Sequence, residues 1–342
     1  MKAATPVIHD GGSWRVAIGD PSGVAEARRT AAALAKPLGF SETAAGQLAL
    51  ATTEVASNIV KHAQRGALVF RRVEHEGRLG IEVLALDKGP GIANLAESLR
   101  DGHSTAGSAG QGLGALLRMT TGFELFSQPG NGTMARFEVW ARAAPHVPPS
   151  VLEGVVCVAK DGEEVCGDAW ASTPWRDRQI VVLADGLGHG PDAAVASRAA
   201  LAAAAKHAGL KAVEIMEAVH GALRPTRGAA AAVIVLQPAK RLCDFCGVGN
   251  IAAAVWHGGK ARNMVSHNGI LGHTVRTFQE FSYPFPAGAL CIAHSDGLTA
   301  RWDIGAYPGL GMRHPSIVAG VLFRDYSRGR DDATVVAVRN SA

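Results

Sequence analysis

Two stretches of this sequence place an aspartate at the end of an apolar run and before glycine-rich backbone, and both could do chemistry. In residues 84–92 the run ends at Asp87, and in residues 180–190 it ends at Asp185. Glycine beside such a carboxylate lets backbone come close to a ligand, because it carries no Cβ. The surroundings of Asp87 favour a nucleotide pocket, whereas those of Asp185 favour a cluster of divalent metal ions.

A polar row is expected close to the first stretch. Glu54, Asn58 and His62 recur at four-residue spacing in a helix that Ser41 can cap and that we predict to continue through Ala63. The three side chains therefore share one face of an otherwise Ala-rich and Leu-rich helix. From composition alone, a solvated stripe and a ligand-facing row both stay open.

Downstream of Asp87, residues 101–105 lead into a glycine-rich loop that feeds a helix start and contains Gly110, Gly112 and Gly114. The free amides and positive dipole end of such a start suit phosphate. No apolar strand directly precedes these glycines, and no GxxxxGK[ST], HRD or DFG motif occurs. The sequence therefore argues against a dinucleotide fingerprint, a Walker-type site and a eukaryotic-type kinase.

Four aspartates of the second half lie beside apolar, strand-like runs: Asp168, Asp185, Asp296 and Asp331. Asp-Gly is a common turn dipeptide, so each occurrence alone indicates a turn. Carboxylates that converge from distant strand ends are nevertheless what Mg²⁺ and Mn²⁺ need, because both ions prefer oxygen ligands. The sequence thus predicts a metal cluster in this half.

Length and composition predict a soluble α/β chain with two domains. The 342 residues are about right for two cores of roughly 150 residues each. Apolar residues make up 47% and charged residues 19%, and the formal charge is +4 without a run of five basic residues, so nucleic acid is not favoured as a partner. The N-terminus lacks a signal-like apolar stretch, and no segment has eighteen consecutive apolar residues. We therefore expect a cytoplasmic protein without a membrane segment.

The five cysteines are too few and too scattered for a disulfide framework. Cys243 and Cys246 form the only CxxC, which lacks the second ligand pair of a structural zinc site. We interpret both as plain strand residues, with a weak metal or redox role as the alternative.

The domain boundary is predicted at residues 143–150, where three prolines in six positions prevent helix or central strand. The domains are then residues 1–142 and 151–342. In the first we predict a strand over 14–18, a helix from its cap Ser22 to Leu34, and a hairpin of strands 67–73 and 79–86. In the second, a helix is predicted over 191–204, and strands over 232–236, 242–246 and 251–256.

Residues from about 14 to 142 resemble the anti-sigma-factor serine kinases of the GHKL, or Bergerat, ATPase superfamily. Four ordered motifs carry the resemblance: Glu54–Asn58, Asp87–Ile92, Asp101–Gly114 and Gly130–Thr133. The resemblance implies that Asn58 ligates the magnesium ion on the ATP phosphates and that Glu54 is the base that deprotonates the attacking hydroxyl. It further implies that Asp87 binds the adenine amino group. The remaining nucleotide-binding residues implied are Gly89, Gly91, Gly110, Gly112, Gly114 and Thr133.

Residues from about 151 to 339 resemble the SpoIIE branch of the metal-dependent PPM serine/threonine phosphatases. The motifs that carry this resemblance are Gly167–Asp168, Ala184–Gly190, Gly247–Asn250, Ser295–Gly297 and Asp331–Thr334. By implication, Asp185 bridges two Mn²⁺ or Mg²⁺ ions.

The same resemblance assigns the other metal ligands. It places Asp168 and the Gly186 carbonyl on one ion, and Asp296 and Asp331 on the other. Asp332 is expected behind the ligands, and His189 is open between a structural role and that of a general acid.

Together, the resemblances imply an α+β protein of two domains. The first is a Bergerat α/β sandwich with helices on one face of a mixed sheet, and the second is an α-β-β-α sandwich. They imply a bifunctional partner-switching regulator that acts on STAS-domain proteins in a bacterial stress or sigma-factor pathway. The alternative is a phosphatase regulated by a non-catalytic N-terminal domain that binds ATP or a partner. A homodimer stays open.

Overall fold

The computed structural model describes residues 12–95, 112–142 and 149–342. The chain separates into two compact units that divide between Val147 and Pro148, and Gly12 groups with the second unit. The first unit thus spans residues 13–147. Most of the predicted linker, residues 143–148, lies outside the described residues.

The first unit contains a five-stranded sheet in the order β1-β2-β3-β5-β4. Its strands are β1 (Trp14–Ile18), β2 (Gly66–His75), β3 (Arg78–Asp87), β4 (Thr121–Ser127) and β5 (Thr133–Trp140). Its helices are α1 (Pro21–Ala35), α2 (Glu42–Asn58) and α3 (Gly112–Met119). All pairings recorded between these described strands are antiparallel, although the resemblance implied a mixed sheet.

The core of this unit lies between one face of the sheet and the helices. Alternate strand residues such as Phe70, Ile81 and Phe137 are buried there, as the two-residue period of a strand requires. Small helix residues, among them Ala31 and Ala51, are fully buried against them. This packing holds α2, which carries Glu54 and Asn58 of the predicted polar row, against the sheet.

Side-chain caps fix the N-termini of helices α1 and α2. Helix α1 begins at Pro21 because Asp20, not the predicted Ser22, is its cap: the Asp20 carboxylate accepts hydrogen bonds from the amides of Ser22 (2.8 Å) and Gly23 (3.2 Å). In α2 the predicted cap is present, since the Ser41 hydroxyl accepts from the Ala44 amide at 3.1 Å.

Helix α2 does not continue as an α-helix through Ala63. Regular α-helical structure ends at Asn58, and Ile59–Ala63 form a π-helical turn. Such turns are rare and often occur at functional sites. Here the turn directly follows one of the predicted site residues.

The predicted hairpin is present, and its register places Asp87 opposite Gly66 at the end of β3. Glu76 and Gly77 adopt left-handed backbone at the turn, with φ of 51° and 74°. Buried Glu82 then accepts hydrogen bonds from Arg71 on β2 and Arg136 on β5, at 2.8 and 2.7 Å. The three strands are thereby tied together in one register.

The second unit contains two sheets. The first has the order β13-β10-β9-β8-β7 with β14 beside β10, and the second has the order β12-β11-β15-β16-β6. The strands are β6 (Val151–Val158), β7 (Asp168–Trp175), β8 (Arg178–Gly186), β9 (Ala229–Gln237), β10 (Leu242–Val248), β11 (Ala252–His257), β12 (Lys260–Asn263), β13 (Ser266–His267), β14 (Phe281–Pro284), β15 (Leu290–His294) and β16 (Ala333–Asn340). The helices are α4 (Pro191–Lys206), α5 (Ala212–Leu223) and α6 (Pro315–Tyr326).

These elements form four layers. A core that includes Val181, Phe245 and Val336 fills the space between the sheets, and a second core lies under α4 and α5. Helix α6 covers the outer side of the sheet that contains β6 and β16. The contact is so close that a Cβ on Gly154 of β6 would lie 1.9 Å from the Ser316 amide nitrogen. The predicted α-β-β-α sandwich and the α+β class of the whole chain are confirmed.

The CxxC pair lies in β10, as predicted for plain strand residues. Cys243 belongs to the core between the sheets, whereas Cys246 belongs to the core under the helices. The two side chains therefore point to opposite faces and cannot bind one metal ion together.

Among the residues that the structure describes, no helix has both the length and the apolar character needed to cross a membrane.

Candidate functional site

In the first unit, the Asp87 carboxylate organises the end of β3. One of its oxygens accepts hydrogen bonds from the amides of Gly89 (2.8 Å) and Thr133 (3.1 Å). Strand β5 begins at Thr133, so this carboxylate joins two neighbouring strand ends.

Ser127, which the sequence did not single out, extends this network. Its hydroxyl lies 2.9 Å from the Thr133 hydroxyl and accepts a hydrogen bond from the Ile92 amide at 2.8 Å. The glycine-containing turn after Asp87 is thereby tied to the end of β4. A serine that closes a strand gave no sequence signal, because its partner is 35 residues away.

Gly91 is required by the chain's own packing. Its φ is +73°, and a Cβ at this position would lie 2.1 Å from the Gln128 carbonyl oxygen. Gly89 is also crowded, since a Cβ there would lie 2.6 Å from the Ala63 Cβ. The two glycines thus let neighbouring turns and the end of the π-helical segment meet beside Asp87.

The other predicted nucleotide-binding residues lie on α2 and α3. Glu54 and Asn58 are half-buried and one helical turn apart, whereas His62 is exposed in the π-helical turn. Gly112 and Gly114 begin α3. The predicted loop residues 101–105 and Gly110 lie outside the described residues.

In the second unit, the strand register brings two of the predicted metal ligands together. Asp168 on β7 is the direct cross-strand partner of Asp185 on β8. Asp168 is buried, and its carboxylate accepts a hydrogen bond from the Ser295 hydroxyl at 2.7 Å. Ser295 directly precedes Asp296 and accepts from the Thr334 amide at 3.0 Å. Three distant strand ends therefore meet at one place.

Asp332 fixes the loop between β6 and β7 through hydrogen bonds to its backbone. Its two carboxylate oxygens accept hydrogen bonds from the amides of Lys160 and Gly167, both at 2.8 Å. This arrangement holds the loop before Asp168 in place and leaves the carboxylate little freedom. The position of Asp332 behind the metal ligands stays a prediction.

The last two predicted acidic ligands have fewer constraints. Asp296 is half-buried and accepts a hydrogen bond from the Asn250 amide group at 2.8 Å. Asp331 is exposed and accepts one from the Asp332 amide at 2.9 Å. Both leave carboxylate oxygen free for another partner.

Gly186 lies at the turn after Asp185, where space is short. A Cβ there would lie 2.0 Å from the Ala193 carbonyl oxygen. Glycine at this position therefore lets α4 pack directly on the strand end that carries Asp185.

The aspartate cluster has a surplus of negative charge. Burial, followed by repulsion from Asp168, Asp296, Asp331 and Asp332, raises the pKa of Asp185 to about 9. Burial also raises the pKa of Asp168 to about 7, although hydrogen bonds from Ser295 and Thr334 oppose the rise. A divalent cation is the kind of partner that would relieve this repulsion.

The donor set fits a hard divalent ion. Every predicted ligand offers oxygen, which is the donor that magnesium and manganese prefer. Within the described part of the chain, however, no three His, Cys, Asp or Glu side chains already form a group that could hold a metal ion. The individual ligands therefore stay predictions.

His189 follows this cluster on the turn into α4. Its Nδ1 atom lies 2.8 Å from an oxygen of Glu163, a residue that the sequence did not single out. Both side chains are partly exposed. The pair joins the turn after Asp185 to the loop between β6 and β7. His189 therefore has a structural contact.

Removal of divalent ions should make the stability of the protein fall as pH rises. The folded-state pKa of Asp185, about 9, exceeds its ordinary value of 3.8, so its contribution to stability is complete below about pH 4 and is lost as pH rises to about 9. In EDTA, we expect the melting temperature to be on the order of 5 °C lower at pH 8 than at pH 5.

Thermal melts of wild type and Asp185→Asn at both pH values check this expectation. The substitution removes the group with the higher pKa, so it should reduce the difference, and the raised pKa of Asp168 accounts for what remains. A wild-type melting temperature that is equal or higher at pH 8 would contradict the predicted repulsion.

Fold and site define a protein with an ATPase-type domain and a metal-dependent phosphatase-type domain. Residues 19–139 match the family described as histidine kinase-like ATPase domain, and residues 176–341 match Stage II sporulation protein E (SpoIIE). Asp168 lies just before the second match, so its placement rests on the structure.

Two curated relatives from Bacillus subtilis (strain 168) are similar to successive parts of the chain. Serine/threonine-protein kinase RsbT is 34% identical over 119 residues, which are 35% of this chain and 90% of RsbT. Phosphoserine phosphatase RsbX is 26% identical over 178 residues, which are 52% of this chain and 88% of RsbX. The chain therefore belongs to the histidine kinase-like ATPase family of RsbT and carries a SpoIIE phosphatase domain in the same polypeptide.

A solved structure is similar as well. It is described as "The bacterial stressosome: a modular system that has been adapted to control secondary messenger signaling". One of its chains has a TM-score of 0.53 and 27% identity, over 56% of this chain and all of that chain.

Proposed function

We propose that this protein is a bifunctional partner-switching regulator. Its first domain is an ATP-dependent protein-serine kinase, and its second is a metal-dependent phosphoserine phosphatase. The substrates are serines and phosphoserines of STAS-domain proteins in a bacterial stress or sigma-factor pathway, and the compartment is the cytoplasm, where ATP is available.

One observation carries the proposal: each unit has an acidic site of its own. In the first, Glu54 and Asn58 lie one turn apart on α2, and the Asp87 carboxylate joins the end of β3 to the start of β5. In the second, Asp168 lies opposite Asp185, and burial, followed by repulsion from neighbouring aspartates, raises the pKa of both. Similarity to a serine/threonine kinase and a phosphoserine phosphatase supports the same division.

In the kinase domain, the proposed roles follow what phosphoryl transfer needs. ATP supplies the phosphoryl group, and magnesium neutralises charge on its oxygens. Asn58 would hold the ion, and Glu54 would accept the proton of the attacking serine hydroxyl. Asp87 and Thr133 would hold the adenine end, and Gly110, Gly112 and Gly114 would contact the phosphates.

In the phosphatase domain, the proposed roles belong to the aspartate cluster. Two Mn²⁺ or Mg²⁺ ions would supply a water acidic enough to attack phosphoserine. Asp185 would contribute to holding both ions. Asp168 and the Gly186 carbonyl would hold one of them, and Asp296 and Asp331 would hold the other.

Fusion of the two domains puts both activities on one local pool of substrates. A short tether makes the second encounter effectively intramolecular, at about millimolar concentration. Two opposed activities on the same serine would waste ATP. We therefore propose that the domains act on different STAS-domain proteins, or that one domain is silent while the other works.

The test incubates the purified protein with radiolabelled ATP, Mg²⁺, Mn²⁺ and each STAS-domain protein encoded nearby. Wild type, Asn58→Ala and Asp185→Asn are compared. We expect more label on a STAS-domain serine with Asp185→Asn than with wild type, because removal is blocked. With Asn58→Ala, label should be absent.

Two results would count against the proposal. If no STAS-domain protein is labelled although ATP binds tightly, the first domain is a regulator and not a kinase. If added wild type does not remove label that Asp185→Asn has placed, the phosphatase assignment is wrong.

A further inference from the structure

Arg227 lies beside the turn that follows Asp185, in the loop before β9. Strands β8 and β9 pair up to Gly186, and just beyond them the Leu187 amide donates to the Gly228 carbonyl at 3.0 Å. An ideal Cβ on Gly188 would lie 3.6 Å from the Arg227 Nη1 atom. The guanidinium is thus next to the turn of the aspartate cluster, although it is far from that turn in sequence.

The backbone and the side chain of Arg227 are both held in place. Its carbonyl oxygen lies 3.0 Å from the Nε2 atom of His273. Its Nη2 atom pairs with the Asp192 carboxylate, in the first turn of α4. Arg227 and Asp192 are nevertheless 54% and 65% exposed, so their ion pair adds little to stability. This pair engages only the Nη2 atom of the guanidinium, and the guanidinium faces solvent.

The net charge of the aspartate cluster indicates a role for the exposed Arg227 guanidinium. A phosphoserine side chain carries close to two negative charges near neutral pH. It has to approach five aspartates: Asp168, Asp185, Asp296, Asp331 and Asp332. Five carboxylates and two divalent ions sum to one net negative charge, so the cluster by itself does not attract a dianion. A guanidinium at its rim offsets this charge, and its planar fork matches two phosphate oxygens.

We propose that Arg227 binds the phosphate group of the phosphoserine substrate and that Asp192 positions its guanidinium. This inference rests on the phosphatase function proposed above and adds a specificity-determining residue to it. Arg227 forms and breaks no covalent bond. It holds phosphate in both the bound substrate and the transition state, so its loss should act mainly on KM.

The experiment measures hydrolysis of p-nitrophenyl phosphate by the full chain with Mn²⁺, and its inhibition by inorganic phosphate. In Arg227→Ala, we expect KM and the phosphate inhibition constant to rise together by about ten- to a hundredfold, while kcat changes by less than about threefold. The matched control is Arg198→Ala, which removes the same charge from an exposed position of α4. It should behave as wild type.

Two further variants separate binding from positioning. Arg227→Lys keeps the charge but loses the fork, so its KM should lie between those of wild type and Arg227→Ala. Asp192→Asn should raise KM by only a few fold, because the guanidinium is still present but less fixed. Thermal melts of all variants show whether each one is folded.

The inference fails if Arg227→Ala keeps the wild-type KM and phosphate inhibition constant. Calorimetric titration of the manganese-loaded protein with inorganic phosphate tests it without turnover. If wild type hydrolyses nothing, the proposed phosphatase function fails, yet binding of phosphate that is lost in Arg227→Ala still supports the role of Arg227. Equal binding by both proteins, or no binding by wild type, overturns it.

Discussion

Asp185→Asn should abolish dephosphorylation, with a loss of about a thousandfold or more in kcat/KM. Asp168 faces Asp185 across the hairpin, and the pKa of Asp185 is raised by burial and then by repulsion from Asp168, Asp296, Asp331 and Asp332. An amide cannot bridge two cations as a carboxylate does. Hydrolysis of p-nitrophenyl phosphate and of a phosphorylated STAS-domain protein, both with Mn²⁺, measures the loss.

The chain offers a matched control for this variant. Asp177 lies at the opposite end of the same β7–β8 hairpin, with a side chain that is 60% exposed. Asp177→Asn makes the same chemical change and should keep wild-type activity. Loss of activity in both variants to the same degree, or retention in both, would contradict the assignment of Asp185.

Unfolding can be separated from loss of the site. Removing the half-buried Asp185 carboxylate relieves repulsion, so metal-free Asp185→Asn should melt at or above the wild-type temperature at pH 8. A variant that is inactive and also less stable than wild type under these conditions would show that Asp185 has a different, structural role.

Asn58→Ala should abolish ATP-dependent phosphorylation, with a fall of at least about a hundredfold in the rate of label transfer. Asn58 is the last α-helical residue of α2, where the helix changes to a π-helical turn. Its amide oxygen is the proposed magnesium ligand, and alanine offers none. Transfer from radiolabelled ATP to a STAS-domain protein, measured in the Asp185→Asn background, reports the kinase alone.

A companion variant tests the division of roles on α2. Glu54→Gln keeps size and hydrogen bonding but cannot accept a proton, so ATP should bind with wild-type affinity while transfer is lost. Asn263→Ala, at an exposed position of β12 in the other unit, is the control and should transfer label normally. Wild-type transfer by Asn58→Ala would refute the kinase assignment. Loss of ATP binding in Glu54→Gln would refute the separate role of Glu54.

Local sequence predicted the elements whose signals lie within a few residues of each other. The hairpin of β2 and β3 was predicted from its alternating pattern and its turn. Ser41 was predicted as the cap of α2, and its hydroxyl accepts a hydrogen bond from the Ala44 amide, three residues further along the chain. The cap of α1 was placed two residues too late, because Asp20 and Ser22 are both good cap residues and Pro21 decides between them.

The partners of the site residues could not be predicted in this way. Ser127 lies 35 residues from the amide that it holds, and the Ser295 hydroxyl donates to a carboxylate 127 residues away. Asp332 braces the Lys160 amide across 172 residues. Such pairs depend on which strand ends lie next to each other in the fold. The spacing of residues along the sequence does not predict these neighbours.

By itself, the sequence determined the two families, the α+β class and the motif residues that could do chemistry, because motif glycines and acids are local and keep their order. Only the tertiary structure decided how those residues meet. Strand register places Asp168 opposite Asp185, and the loop before β9 brings Arg227 beside the turn after Asp185. The physical reason is that charge and hydrogen bonding act over a few ångströms, and folding alone sets which distant residues lie that close.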